Sequence, residues 1–396
     1  MRIAYVCTDQ GVPVFGRKGC SVHVQEVVRA FARQGGRVEL FTPRPEGEPP
    51  PGLETVPVHG LPRAEGAAAA RERAALAAND ALRAALERAG PFDLVYERYS
   101  LWTFAGMEHA RAAGVPGLLE VNAPLIEEQA EHRTLADRGA AEAVARRAFR
   151  SAAALVAVST EVADYLRDYP GTYRRVHVVP NGVNPDRFPP GLQPRPPRDP
   201  DTFTVGFVGS LKPWHGLETL VEAFALLRRR HADARLLIVG EGPERSRLLE
   251  DLSRRGLSRE ARLTGGVPPD EVPRLLAGMD AAVAPYSGRC PFYFSPLKVY
   301  EYMAAGLPVV ASRLGQLGGL IRHGVNGLLC PPGDAAALAA ALARLRGVPG
   351  LRRRLGEAAR AAVLRQHTWA AVAGRILRLA EATPAPGVVA GGREVP

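Results

Sequence analysis

The chain contains only three lysines, Lys18, Lys212 and Lys298, among its 51 Lys and Arg residues. Each stands in a segment rich in glycine or proline that runs into a helical pattern. The first is Gly11-Val-Pro-Val-Phe-Gly16-Arg-Lys18-Gly19-Cys-Ser21-Val-His23. The second is Gly209-Ser210-Leu211-Lys212-Pro-Trp-His215-Gly216, and the third is Ser295-Pro296-Leu297-Lys298-Val-Tyr-Glu301. Glycine lets a backbone approach a ligand, and the first turn of a helix offers free N–H groups to an anion. A lysine adds a compact point charge suited to a phosphate oxygen in a tight site. The chemistry within reach is therefore binding of a phosphate or diphosphate and stabilisation of the charge that grows as it leaves. An ordinary strand-to-helix turn explains either glycine loop equally well, and His215 reads equally as a structural cap. Glu301 lies further along the third helix; a lone helical Glu is usually a solvated face, but this one follows a basic, aromatic helix start. Neither loop has the GxGxxG spacing of a dinucleotide fold, and GxxxxGK[ST] is absent.

These loops need strands behind them and helices ahead of them. Arg2–Thr8 and Arg37–Thr42 read as strands, and Ser21–Gln34 reads as a helix with Val24, Val27, Val28 and Phe31 on one stripe. Strand, glycine loop, helix and strand fit one βαβ unit. Residues 67–89 read as an Ala-rich helix, and 93–96, 116–120 and 154–158 as further strands. Pro189–Pro200 carries six prolines and is the linker signal. Beyond it the pattern restarts, with strands at Phe203–Val208 and Arg235–Val239 around a helix over Leu217–Arg230. The expected fold class is α/β with parallel sheets.

Length and composition agree. With about 150 residues per domain, 396 residues make two domains the default. Hydrophobic residues at 46% and charged residues at 23% exclude a mainly disordered chain. No apolar run is long enough to span a bilayer, and the N-terminus reads as a first strand rather than a signal peptide. Four cysteines without a CxxC pair argue against a disulfide framework and a zinc site, and agree with the cytoplasm. The net charge of +10 comes almost wholly from Arg, which suggests drift in a GC-rich genome. The Arg runs lie in helices with few aromatics nearby, so no nucleic-acid partner is expected; attraction to an anionic membrane face or a phosphorylated substrate fits better.

Further segments carry a family resemblance: Glu120-Val-Asn122-Ala-Pro124, Val158-Ser159, Pro180-Asn-Gly-Val-Asn-Pro-Asp-Arg-Phe188, Val239-Gly240-Glu241-Gly-Pro243 and Leu297–Val310. With the two glycine loops, in this order, the chain resembles the glycosyltransferase family 4 proteins of the GT-B fold. The resemblance implies two Rossmann-like domains facing a central cleft. It places an acceptor domain at 1–188, a linker at 189–202, a donor domain at 203–366, a helix at 367–384 crossing back to the N-terminal domain, and a tail at 385–396. It implies donor contacts at Gly209, Ser210, Lys212, His215, Gly240, Glu241, Val267, Tyr293, Ser295, Pro296, Leu297, Lys298 and Glu301. Glu301 would bind the nucleotide ribose, and Lys212, Lys298 and Glu301 would carry catalysis together with His109. A plain helix-surface histidine explains His109 as well. The acceptor would meet Gly16, Lys18, Gly19, His23 and Asn122. The family signature pairs two glutamates eight positions apart; Tyr293 stands where the first would be. Ser210 and His215 stand where many members carry Arg and Lys.

The function this resemblance implies is retaining transfer of a sugar from a nucleoside-diphosphate sugar, UDP- or GDP-linked, to a hydroxyl acceptor. No cofactor and no metal are expected; the one Asp-x-Asp, Asp199-Pro-Asp201, lies in the linker. The setting implied is bacterial glycan biosynthesis, cytoplasmic or peripheral on the inner membrane face. Two alternatives compete: a nucleotide-sugar epimerase of the same fold, and a nucleotide-sugar-binding protein without turnover.

Overall fold

A computed structural model describes residues 1–197, 199–289 and 291–383; the tail expected over 385–396 and residue 384 lie outside the described residues. The chain forms two units. One comprises Met1–Pro180, Tyr293–Ser295 and the described residues from Trp369 onward, and the other Asn181–Phe292 and Pro296–Thr368.

The first unit is built on seven strands: β1 (Arg2–Cys7), β2 (Arg37–Thr42), β3 (Val58–Gly60), β4 (Leu94–Arg98), β5 (Gly117–Val121), β6 (Ala154–Ala157) and β7 (Val176–Val178). They are all parallel, in the order β3-β2-β1-β4-β5-β6-β7. The chain winds outward from β1 in one direction and then returns to β1's other side at β4, so the order reverses between β1 and β4. The strands are almost continuously apolar because helices cover both faces. On one face Ala4, Val6, Val95, Leu119 and Val121 pack under the helices Ala105–Ala113 and Arg138–Ser151. On the other lies the helix Gly19–Arg33, whose Val24, Val27, Val28 and Phe31 are all buried, as their spacing predicts. The helix Trp369–Ala382 packs on that same helix, where Gln34 Nε2 donates to the Ala370 carbonyl at 2.9 Å.

The second unit repeats the plan on β8 (Phe203–Val208), β9 (Ala234–Val239), β10 (Ala261–Leu263), β11 (Ala281–Ala284), β12 (Val309–Ser312) and β13 (Leu328–Cys330). The order is β10-β9-β8-β11-β12-β13, again all parallel. Here the reversal lies between β8 and β11. In open sheets of this kind ligands bind beyond the carboxyl ends of the strands at such a reversal. The expected lysine loops of both units follow their first strands, β1 and β8.

Candidate active site

In the second unit the glycine spacing is a packing requirement. Gly209 and Gly240, at φ +145° and +142°, end β8 and β9. A Cβ on Gly240 would stand 2.0 Å from the Gly209 carbonyl oxygen. The loops after the two strands thus touch backbone to backbone, joined by Gly209 N–H to Val239 O and Leu211 N–H to Glu241 O, both at 2.9 Å. Gly240 N–H in turn donates to Gly265 O, which brings in the loop holding half-buried Val267. Glu241 is exposed and pairs with Arg245.

His215 ends a short 3-10 turn, Pro213–His215, and its Nδ1–H donates to the Ser210 carbonyl. Burial, with the nearby Lys298 and Lys212 charges, pushes its pKa down to about 3, so the ring is neutral at physiological pH. It closes the loop rather than adding charge to it. Ser210 itself is exposed, and the half-buried Lys212 amine lies 5.7 Å from the Trp214 ring centroid.

Pro296 caps the helix Leu297–Ala304. Lys298 and Glu301 are three residues apart and so share a face. The Lys298 amine is sealed from solvent and makes no hydrogen bond. It rests on the rings of Phe207 and Tyr286, 4.3 and 5.5 Å from their centroids, against the space a side chain on Gly209 would need. Burial lowers its pKa to about 7. The helix is tied to β8 by Tyr302, whose hydroxyl accepts from Val208 N–H at 2.7 Å and lies 3.2 Å from the Val208 carbonyl.

Glu301 does not stand alone. Arg187 Nη1 donates to its Oε1 at 2.7 Å, and Arg187 Nη2 donates to the Pro269 carbonyl at 2.6 Å. Both side chains are about one-fifth exposed, at 20% and 19%. The motif Pro180–Phe188 therefore reaches the site through its arginine, which the sequence reading did not assign. The signal available was that Pro180–Phe188 and the Leu297–Val310 segment holding Glu301 both carry the family resemblance.

Tyr293 and Ser295 fall elsewhere. They group with the first unit, where Ser159 Oγ donates to the Tyr293 carbonyl at 2.5 Å and Tyr293 packs on the apolar core. The structure gathers the other expected donor residues, Gly209, Ser210, Lys212, His215, Gly240, Glu241, Val267, Pro296, Leu297, Lys298 and Glu301, in the second unit.

In the first unit Gly16 is required by space, since a Cβ there would lie 2.8 Å from Pro13 Cγ. Lys18 and Gly19 are exposed, and Lys18 precedes the helix Gly19–Arg33 without a side-chain cap. His23 is buried: its Nε2 lies 2.8 Å from Glu120 Oε1, and its ring centroid is 5.1 Å from that of Trp369. Asn122 follows β5 directly, two residues after Glu120. His109 sits half-buried on the helix Ala105–Ala113 with its pKa lowered by burial; its charged neighbours, Glu87 and Arg83, belong to the helix Ala68–Ala89 rather than to the glycine loop.

The two halves of the chain match two family models: residues 17–187 match Glycosyltransferase Family 4, and residues 202–347 match Glycosyl transferases group 1. The D-inositol 3-phosphate glycosyltransferase of Pseudarthrobacter chlorophenolicus is 30% identical over 380 residues, covering 86% of this chain and 85% of that protein. A glycogen synthase of Mycobacterium tuberculosis is 32% identical over 227 residues, 57% of this chain and 53% of that protein. Among solved structures, sucrose-phosphate synthase of Thermosynechococcus elongatus superposes with a TM-score of 0.76 at 22% identity, over 96% of this chain and 98% of that one. Anabaena HepE, in complex with UDP and glucose, gives 0.72 at 19% identity over 96% and 100%. The two doubly wound units are those of the GT-B fold, and the chain belongs to glycosyltransferase family 4. It is a glycosyltransferase.

Proposed function

We propose that this glycosyltransferase moves a sugar from a UDP- or GDP-linked donor to a hydroxyl of its acceptor with retention at the anomeric carbon and without a divalent metal. The observation that carries the reading is the Lys298 amine, sealed without an acceptor beside the Gly209 loop and one helical turn from the Arg187-held Glu301. Such an ammonium lacks an anion, and a diphosphate at the end of β8 supplies one. Glu301 then accepts from the ribose hydroxyls, with Arg187 fixing the carboxylate plane.

As the anomeric C–O bond breaks, its electron pair goes to the β-phosphate oxygen. Lys298, Lys212 and the N-termini of the helices Leu297–Ala304 and Leu217–Arg230 meet that charge. The acceptor oxygen forms the new bond on the face the phosphate leaves, and its proton passes to the departing phosphate. A glycosidase-like double displacement would need two carboxylates about 5–5.5 Å apart; of the two among the expected donor residues, Glu301 is held by Arg187 and Glu241 is exposed and paired with Arg245. The named relatives are glycosyltransferases, so neither an epimerase nor a binding-only protein is favoured. One relative's name specifies inositol 3-phosphate as acceptor, which makes a small phosphorylated polyol the first acceptor to try.

The test is a transfer assay over UDP- and GDP-sugars, with the product's anomeric configuration read by NMR and the reaction repeated in EDTA. Retention and full activity under chelation are expected. Inversion, or activity lost in EDTA and restored by Mg²⁺ or Mn²⁺, would overturn the mechanism while leaving the transferase assignment intact.

A further inference from the structure

A second cation without an acceptor sits in the first unit. Arg98 ends β4, beside the reversal between β1 and β4. The registers Cys7↔Arg98 and Arg98↔Glu120 set these three residues side by side at the carboxyl ends of β1, β4 and β5, on the sheet face opposite Val6, Glu97 and Val121. Tyr5 and Tyr96 stand one pleat deeper in the same column.

The donors on this face outnumber the acceptors. Arg98 Nε and Nη1 are sealed from solvent and make no hydrogen bond, and the hydroxyls of Tyr5, Tyr96 and Ser21 are in the same condition. Ser21, Tyr5 and Tyr96 are fully buried. The only carboxylate in the row is Glu120; its Oε1 is taken by His23 Nε2, which leaves Oε2 as one buried open acceptor against these donors and the equally unpaired Asn122 Nδ2. Asp9, the other acidic neighbour, accepts from Gly11 N–H at 2.7 Å. Burial opposes charge on Arg98, yet Glu120, Cys7, Tyr5 and Asp9 act through space to keep its pKa raised, so the guanidinium is charged throughout. A charged guanidinium with unpaired N–H groups at Nε and Nη1, behind an uncapped helix start flanked by Arg17 and Lys18, suits the charge of a carboxylate or phosphate.

We propose that the carboxyl ends of β1, β4 and β5 form an oxyanion subsite, anchored by Arg98, that holds a phosphate or carboxylate group of the acceptor. Assigning the oxyanion to the acceptor rests on the transferase reading above; the binding itself does not. Arg98 orients the acceptor by its charged group, so it sets acceptor specificity and does not touch the donor phosphates.

The test uses the full chain and calorimetry with three probes: glucose 6-phosphate, glucuronate and glucose. UDP binding is measured in parallel on every variant. Glucose 6-phosphate or glucuronate, or both, should bind at least about tenfold more tightly than glucose, since glucose lacks the anion that accepts the charge-assisted hydrogen bonds. If only the first binds, the group held is a phosphate; if only the second, a carboxylate. Arg98→Met should weaken the anionic probe at least tenfold and leave UDP unchanged, and Arg98→Lys should recover only part of the loss. Lys298→Met should weaken UDP and leave the anionic probe unchanged. Glucose binding as tightly as both anions in the wild type would overturn the proposal even if neither Arg98 variant folds. So would an anionic probe that survives Arg98→Met, or one that is lost with Lys298→Met, which would place it among the lysine loops. Failure of UDP to bind, with the anion result intact, would instead count against the donor reading alone.

Discussion

Each unit buries a cation near its strand reversal, Arg98 at the end of β4 and Lys298 on the helix that follows β11, and the two are surrounded differently. Arg98 stands in a row with Glu120 and near Asp9, and these hold its charge in place. Lys298 faces two aromatic rings and a glycine, with no carboxylate among the causes that set its pKa, and burial alone lowers it to about 7. The first site is electrostatically prepared before anything binds. The second is completed by its ligand, since an approaching diphosphate supplies the charge that the protein withholds. The difference teaches that two sheets wound in the same way can carry a permanent anchor near one reversal and a ligand-dependent charge near the other.

Breaking the second site should have the largest effect. Lys298→Met keeps the stem on Phe207 and Tyr286 and removes the charge. It should lower kcat/KM for transfer by about 10²–10³-fold, the usual loss when one transition-state donor is removed, with the melting temperature unchanged or higher. Lys298→Arg keeps the charge but brings a larger planar fork against Gly209, and it should recover little of the rate. Rates near wild type in both variants would remove Lys298 from the mechanism.

Arg187→Ala tests the support behind Glu301. Freeing the carboxylate should raise donor KM by about tenfold to a hundredfold, as for a charge-assisted hydrogen bond, with kcat falling less. Arg187→Lys should recover part of it. A change in kcat alone would mean that Arg187 shapes the fold of the second unit rather than donor binding.

The contrast between units also has a pH signature. Glu97, on the core-facing side of β4, is fully buried, and burial pushes its pKa up to about 8. Between its unfolded value near 4.5 and about 8 the folded chain holds a proton that the unfolded chain has released, so stability falls as pH rises through that window. Lys298 does the reverse. From about 7 to its unfolded value of 10.5 the unfolded chain holds the extra proton, and stability rises with pH. Each slope is at most about 1.4 kcal/mol per pH unit. Denaturant midpoints of Glu97→Gln should lose the falling limb and those of Lys298→Met the rising limb. Unaltered limbs in the two variants would show that neither group titrates as its burial demands.

The smallest effect belongs to His215. A neutral ring that only closes the loop should be replaceable by Asn, which also donates to the Ser210 carbonyl. His215→Asn should change donor KM by no more than about threefold and leave the pH–rate profile between 5 and 8 unmoved. A lost ionisation in that range would mean that the imidazole carries charge after all.

The parts legible in the sequence were those with local causes. The long strands β1, β2, β8 and β9 and the glycine loops between strand and helix follow from apolar runs and backbone geometry. Strands β3, β7, β10 and β13 span three residues each, too short for any periodicity to register. The pairings that define both sites are long-range. His23 and Glu120 are 97 residues apart, Arg187 and Glu301 are 114 apart, and Tyr302 reaches Val208 across 94. Their partners are chosen by sheet register and helix packing, which a linear reading does not contain. Arg98 was missed for a related reason: among 48 arginines nothing in its type marks it, and only its burial without an acceptor does.

The account stands most directly on what Lys298 waits for. Titration calorimetry of UDP and GDP, against uridine and guanosine, should be run on wild type and Lys298→Met at pH 6 and pH 9. One diphosphate should bind at least about tenfold more tightly than its nucleoside. That advantage should be larger at pH 6 than at pH 9, where the free amine has lost its proton, and should largely vanish in Lys298→Met at both. Nucleosides binding as tightly as diphosphates, or an advantage that Lys298→Met retains in full, would contradict the claim that the sealed lysine is the diphosphate's partner.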